Sequence, residues 1–233
     1  MKITRETPTL VRLTRLGSVN AYLVVEDDGL TLVDTMLAGS TKAILAAARE
    51  LGAPIVRITL THAHADHVGS LDALAGALPD AEVSISAREA RLLAGDRSLV
   101  PGEPQSKLRG SYPRIRTRPG RELAAGDRVG SLEVVPAPGH TPGHVAFLDA
   151  RDRTLLAGDA YSTLGGVSTS GRVNPRFPLP GLATWDRPTA QRSAEALRAL
   201  DPARLAVGHG RLVADPGPAM DAAIARAAGA GSR

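Results

Sequence analysis

The sequence predicts a mixed α and β protein in which two successive blocks of strands are each followed by helix. Three observations carry this. Apolar runs with the two-residue alternation of strands recur in both halves of the chain. Runs with apolar residues three and four apart separate them. Polar clusters rich in histidine and aspartate repeatedly follow the predicted strands.

In order, the strands are predicted at Leu10 to Leu13 and Ala21 to Val25, then a turn at Asp27-Asp28-Gly29 and a return strand at Leu30 to Val33, the last two forming a hairpin. Ser40 is a candidate N-cap for a helix with Ile44, Leu45, Ala48 and Leu51 on one face, closed by Gly52 and Pro54. Strand Ile55 to Leu60 leads into Thr61-His62-Ala63-His64-Ala65-Asp66-His67, and a helix with Leu71, Leu74, Ala75 and Leu78 follows from about Val68 to Pro79. Glu82 to Ser86 reads as a strand and Ala87 to Ala94 as a short helix, whereas 95–120 has no periodicity and carries Lys107, Arg109, Arg114, Arg116 and Arg118 around Tyr112. Strands resume at Leu132 to Val135, Val145 to Leu148 and Thr154 to Ala157. The glycine- and proline-rich stretch 161–183 reads as irregular. Asp186 is the predicted N-cap of a helix burying Ala190, Ala194, Leu197 and Leu200, Arg204 to Val207 is a last strand, and Pro218 to Ala228 a terminal helix.

A length of 233 residues, with 43% apolar and 22% charged residues and apolar runs from Leu10 to Ile224, is expected to form one domain over 1–233. The net charge of +4 is a weak pointer to an anionic small-molecule substrate. With no cysteine, disulfides and thiolate sites are excluded, so a metal has to be held by nitrogen and oxygen. The segment Met1-Lys2-Ile3-Thr4-Arg5-Glu6 lacks the apolar core of a signal peptide and no 18-residue apolar stretch occurs. The expectation is a cytoplasmic protein that does not span a membrane.

Three of the six histidines fall in 62–67 together with Asp66. Two positions apart past a strand end, His62 and His64 point to one side, while Asp66 and His67 fall at a helix start whose free N–H groups favour a carboxylate. His140 lies in Pro138-Gly139-His140-Thr141-Pro142-Gly143-His144, Asp159 follows the strand ending at Ala157, and His209 sits between Gly208 and Gly210 after the last strand. Seven such groups exceed the needs of one ion. His62, His64 and His140 could hold one, Asp66, His67 and His209 a second, and Asp159 could bridge the pair, as in two-metal hydrolytic sites.

The motifs His-x-His-x-Asp-His at 62–67, Pro-Gly-His-Thr-x-Gly-His at 138–144, Gly-Asp at 158–159 and Gly-His-Gly at 208–210 resemble, in order and spacing, those of the metallo-β-lactamase superfamily. Leu32-Val33-Asp34-Thr35 is similar to the early strand-end aspartate of that family. The resemblance covers most of the chain. It implies an α+β fold, a four-layer α/β/β/α sandwich with metals at one edge between the sheets, and the ligand assignment just given. It also implies two divalent ions, zinc first with iron or manganese as alternatives, and a role for Asp34 in orienting a ligand imidazole or its loop. An Asx residue shaping a turn is the other reading of Asp34. His144 is assigned to hydrogen bonding within its own loop.

The chemistry expected is hydrolysis of a small ester-like substrate (thioester, lactone or a related acyl compound) by a hydroxide between the metals, with Asp66 orienting it and accepting its proton. Asp159 together with His67 fits the glyoxalase II and lactonase pattern better than that of a dedicated β-lactamase. The 24 residues after His209 (positions 210–233) are too few for the helical domain that helps glyoxalase II bind glutathione. Tyr161 is a candidate substrate hydrogen-bond donor, with packing under its loop as the alternative. The competing readings are a phosphodiesterase or ribonuclease, a mononuclear-iron sulfur dioxygenase, a β-lactamase, and a non-catalytic metal-binding protein. Aromatic residues amount to only 3%, too few stacking platforms to favour a nucleic-acid partner. Segments 95–120 and 160–183 are expected to flank the metals.

Overall fold

The computed structural model describes residues 1–229, and its strands form two large sheets. The first holds seven strands in chain order: β1 (Lys2–Arg5), β2 (Leu10–Arg15), β3 (Val19–Glu26), β4 (Gly29–Val33), β5 (Ile55–Thr59), β6 (Glu82–Ser86) and β7 (Arg121–Leu123). It is antiparallel from β1 to β4 and parallel from β4 to β7. The parallel connections are helical, as parallel pairing requires a crossover: α1 (Thr41–Leu51) joins β4 to β5, α2 (Ala65–Val68) and α3 (Leu71–Ala77) join β5 to β6, and α4 (Ala87–Leu93) follows β6.

The second sheet comprises β8 (Arg128–Val129), β9 (Leu132–Pro136), β10 (Val145–Asp149), β11 (Thr154–Leu156), then β14 (Arg204–Ala206) and β15 (Val213–Ala214). Between β11 and β14 the chain makes the small hairpin β12 (Tyr161–Ser162) and β13 (Ser168–Thr169), the short helix α5 (Leu179–Ala183) and the long helix α6 (Arg187–Ala199); α7 (Gly217–Ala228) ends the described chain.

Strand alternation sorts the core into three layers. In β3, Ala21 and Leu23 pack under the helices of the first half, whereas Tyr22 and Val24 face the other sheet. In β10, Val145 and Phe147 point to the middle of the sandwich, and Ala146 and Leu148 point outward with Ala194 and Leu197 of α6 and Met220 of α7. Each fully buried side chain such as Phe147 contributes roughly 1.5–3 kcal/mol. The result is helices, sheet, sheet, helices: the α+β, four-layer α/β/β/α sandwich expected from the resemblance. Among the described residues no helix is long and apolar enough to cross a membrane.

Several local expectations need correction. The edge strands β1, β7, β8 and β15 and the hairpin β12/β13 carry too few alternating residues to register as strands. Ser40 is the N-cap residue of α1 as expected, but its hydroxyl makes no cap bond; it donates to the Leu37 carbonyl (2.7 Å) and accepts from Arg15 (2.8 Å). The helix after the histidine cluster begins at Ala65 and breaks at Gly69 and Ser70 into two pieces. Asp186 does cap α6, accepting from the Thr189 N–H at 3.0 Å.

For the site, the consequential feature is direction. Strands β4 and β5 are parallel in the first sheet, and β11 and β14 are parallel in the second, with β9 running the same way as β11 because both are antiparallel to β10. The loops bearing Asp34, His62, His140, Asp159 and His209 therefore all leave carboxyl ends of strands. Contacts between sheets join those ends: the Asn20 N–H donates to the Gly208 carbonyl (2.9 Å) and the Val145 N–H to the Thr61 carbonyl (3.0 Å).

Candidate metal centre

Six of the seven candidate ligands are buried, and the carboxylate of Asp66 alone is partly open, at 32%. Their donor atoms fall into three overlapping groups, His62/His64/His140, His62/His67/Asp159 and Asp66/His67/His209, the atoms of each lying within 4.8 Å of one another. Asp159 stands between them. One of its oxygens is 3.4 Å from His67 Nε2, and the other is 3.2 Å from His209 Nε2 and 3.5 Å from His140 Nε2. Asp66 reaches His209 Nε2 at 3.2 Å.

Each imidazole uses one nitrogen as an outward hydrogen-bond donor. His64 Nε2 donates to the Arg109 carbonyl (3.0 Å), and His209 Nδ1 to the Ser18 carbonyl (3.2 Å). His67 Nδ1 donates to Asp34 (2.8 Å). The Thr61 hydroxyl donates to Asp34 and so accepts from His62 Nδ1 (3.0 Å), and the Thr184 hydroxyl donates to the Pro180 carbonyl and so accepts from His140 Nδ1 (3.1 Å). A carbonyl or carboxylate cannot donate, which fixes these tautomers. Five inward nitrogens, His62 Nε2, His64 Nδ1, His67 Nε2, His140 Nε2 and His209 Nε2, remain for ligation.

His64 Nδ1 and His140 Nε2 lie 3.0 Å apart. Burial pushes His64 down to about 4 against the pull of Asp66 and Asp159, and burial, with His64 beside it, holds His140 well below the usual imidazole range. Both rings are neutral, their protons are committed elsewhere, and two lone pairs face each other. Two nitrogens ~2.1 Å from one ion lie ~3.0 Å apart at a right angle and ~3.4 Å at a tetrahedral angle, so a cation resolves the repulsion. His62 Nε2, His67 Nε2 and Asp159 Oδ1 are buried with no hydrogen-bond partner, an arrangement that costs stability unless something coordinates them. The nitrogen and oxygen donor set suits zinc, iron or manganese.

The second group is anionic. Burial lowers His209, but Asp159 and Asp66 outweigh it and raise the ring to about 9; His67 is likewise raised by Asp159, Asp34 and Asp66 against burial. Burial raises Asp159, but the adjacent His209 and His67 hold it well below the usual carboxylate range. Protons there occupy the place of positive charge, and an ion would displace them.

Asp34 accepts from the Thr61 N–H (2.8 Å), the Thr61 hydroxyl and His67, linking the loop of His62 to the ring of His67. Its φ of 63° is left-handed, a conformation Asp tolerates. Segment 95–120 lies over His64: a Cβ on Gly110 would strike the His64 ring, Tyr112 packs edge-on at 4.7 Å, and the Ala65 N–H donates to the Ser111 carbonyl. Segment 160–183 abuts His209, with Phe177 at 5.3 Å from its ring and the Thr163 N–H on its carbonyl.

Two placements differ from the sequence reading. Tyr161 is not brought to the cluster; it is fully buried in the outer layer and donates to the Ala194 carbonyl of α6 (2.7 Å), because Asp159 lies in a turn closed by the Ala160 N–H on the Ala157 carbonyl (3.1 Å) and strand alternation does not run from it to Tyr161. His144 reaches beyond its own loop, accepting the Asp159 N–H at Nε2 (3.1 Å). Asn20 and Tyr22, which belong to no motif in the sequence, hold the His209 loop. Asn20 donates to the Val207 and Gly210 carbonyls, and the Tyr22 hydroxyl donates to the Val207 carbonyl while accepting its N–H. Asn20 among apolar strand residues was the available signal.

A family model described as the metallo-beta-lactamase superfamily matches residues 14–209. The uncharacterized protein YobT of Bacillus subtilis (strain 168) is 48% identical over 213 residues, covering 91% of each chain. A hydroxyacylglutathione hydrolase of Stenotrophomonas maltophilia (strain R551-3) is 31% identical over 67% of this chain, which spans about half (51%) of that enzyme. The crystal structure of TTHA1623 in a di-iron-bound form superposes with a TM-score of 0.66 at 30% identity, covering 90% of this chain and 96% of that one. Motif order, sandwich topology and these matches agree, and the chain belongs to the metallo-beta-lactamase superfamily.

Proposed function

We propose that this metallo-hydrolase binds two divalent ions, one on His62, His64 and His140 and one on Asp66, His67 and His209, with Asp159 shared, and that it cleaves a small ester-like bond such as a thioester or lactone. The observation that carries the reading is the splitting of the Asp159 carboxylate, one oxygen toward His67 and the other toward His140 and His209. A pair of ions there would supply a nucleophilic hydroxide at neutral pH and Lewis acidity toward the carbonyl oxygen. Zinc is the first expectation, and the di-iron form of TTHA1623 supports iron as the alternative.

The chain's own residues do the rest. Asp66 is the most open carboxylate of the group, and its Oδ2 is free of backbone donors, so it would orient the attacking water and accept its proton. Burial of the remaining ligands excludes bulk water and strengthens their electrostatic effect on the substrate. Asp34, Thr61, Thr184 and the carbonyls of Ser18 and Arg109 keep every ring in the ligating tautomer. The hydroxyacylglutathione hydrolase relative supports a thioester substrate. Location in the cytoplasm belongs to the same proposal.

Metal content per chain, followed by turnover on a panel of thioesters, lactones and β-lactams, tests the reading. Two ions per chain and metal-dependent cleavage of a thioester or lactone are expected; protein that retains no ion, or turns over none of them, overturns it. A phosphodiesterase reading draws on Arg109, exposed on the loop whose carbonyl holds His64. Binding to short RNA across a salt series decides between them, since phosphate contacts impose a salt dependence.

A further inference from the structure

Glu89, in the first turn of α4, is fully buried and forms no ion pair among the described residues. One of its oxygens accepts the N–H of Ala63, the residue between His62 and His64, at 2.8 Å; the other accepts the N–H of Gly143, in the loop that carries His140, also at 2.8 Å. The same helix start makes a third tie, as the Ser86 hydroxyl donates to the Gly143 carbonyl at 2.6 Å. Nothing larger than glycine fits at 143, where a Cβ would lie 2.6 Å from Arg88 Cβ and 2.9 Å from the Glu89 nitrogen.

We propose that Glu89 is a positioning residue that clamps the His62–His64 loop of the first sheet to the His140 loop of the second and so sets the geometry of that three-imidazole group before an ion arrives. This rests on the metal-centre reading above. The two loops leave strands of different sheets, β5 and β9, and no covalent connection holds their spacing. The two backbone groups that Glu89 joins are both N–H donors, and a carboxylate is the side chain that offers two acceptor oxygens in one fork. Glutamine has the same volume but presents an NH2 to one of the two N–H groups, and aspartate is a methylene short. A core filler would need neither property. The second group, Asp66/His67/His209, is held by other residues (Asp34, Asn20 and Tyr22), so the clamp acts on one half of the centre.

The test is metal affinity in Glu89→Gln, measured in two backgrounds. In His209→Ala the three-imidazole group remains; in His140→Ala the Asp66/His67/His209 group remains. Zinc affinity is read by competition with a chromophoric chelator, and the visible bands of the Co(II)-substituted protein report ligand geometry. E89Q is expected to weaken zinc about 10- to 100-fold in the His209→Ala background and to shift the Co(II) band, the size of effect usual when a partner of a ligand loop is lost. In the His140→Ala background it is expected to change affinity less than threefold. Equal losses in both backgrounds mean a general structural role, and no loss in either means the ties are idle; both overturn the proposal. If E89Q does not fold, Ser86→Ala, which removes the third tie together with the cap that the hydroxyl gives the Glu89 N–H, is expected to show a smaller loss with the same selectivity, and a loss of equal size in both backgrounds or none at all overturns it. Failure of the unmutated protein to bind zinc would instead sink the metal-centre reading itself.

Discussion

Asp34→Asn bears first on the orientation of His67, because the amide oxygen can keep the Thr61 N–H and hydroxyl that Asp34 Oδ1 now accepts. Asn tolerates the left-handed backbone at 34, so the φ of 63° carries no new penalty. The amide keeps one oxygen for the Thr61 N–H and turns its NH2 toward His67 Nδ1, now 2.8 Å from the carboxylate. Without metal, His67 relieves that opposition by giving up its Nδ1 proton and keeping the one on Nε2, which faces Asp159 at 3.4 Å. An ion on that side then needs the other tautomer, with a buried Nδ1–H facing an NH2. Leaving such a donor unpaired costs about 1–3 kcal/mol, or roughly 5- to 150-fold in affinity at 1.4 kcal/mol per decade. Titration calorimetry and chelator competition on D34N measure it, with the melting temperature of the metal-free protein as the control. Unaltered affinity for both ions would refute the tautomer argument, as would equal losses at the two.

The metal-free protein is expected to lose stability as pH rises. His209 titrates at about 9 in the folded chain against an ordinary 6.5, so its contribution is complete below 6.5 and disappears through about 9. That is on the order of 3 kcal/mol, and calorimetry from pH 6 to 10 should show a falling Tm that flattens once metal replaces the proton; a Tm rising over this range contradicts it. Gly110→Ala places a methyl against the His64 ring at a φ of +84°, and at least a tenfold loss of metal-dependent turnover is expected, with unchanged turnover the disproof. Tyr161→Phe removes only the bond to the Ala194 carbonyl, so stability should drop by about 1 kcal/mol with kcat and KM intact. A raised KM would return Tyr161 to the substrate.

The candidate ligand residues are legible in the sequence because strand ends in this kind of sheet release loops at one edge. A histidine or aspartate placed one to four residues past an apolar run advertises itself. The long strands and α1 and α6 were legible for a related reason: periodicity accumulates over five or more residues. Elements of two or three residues, such as β8 and β12, have no period to detect and form because a neighbouring strand is there to pair with.

What sequence alone determined was the class of fold, the chemical identity of the donors and the loops that carry them, since each is a property of local pattern. Tertiary structure decided which nitrogen of each ring faces inward, because the outward acceptors, Arg109 and Ser18 carbonyls among them, lie 45 and 191 residues away along the chain. It also decided that Tyr161 faces α6, that Asn20 and Tyr22 hold His209, and that Glu89 joins two loops. A hydrogen bond depends on distance and angle between groups the chain brings together only when its layers close, and no spacing along the sequence encodes that.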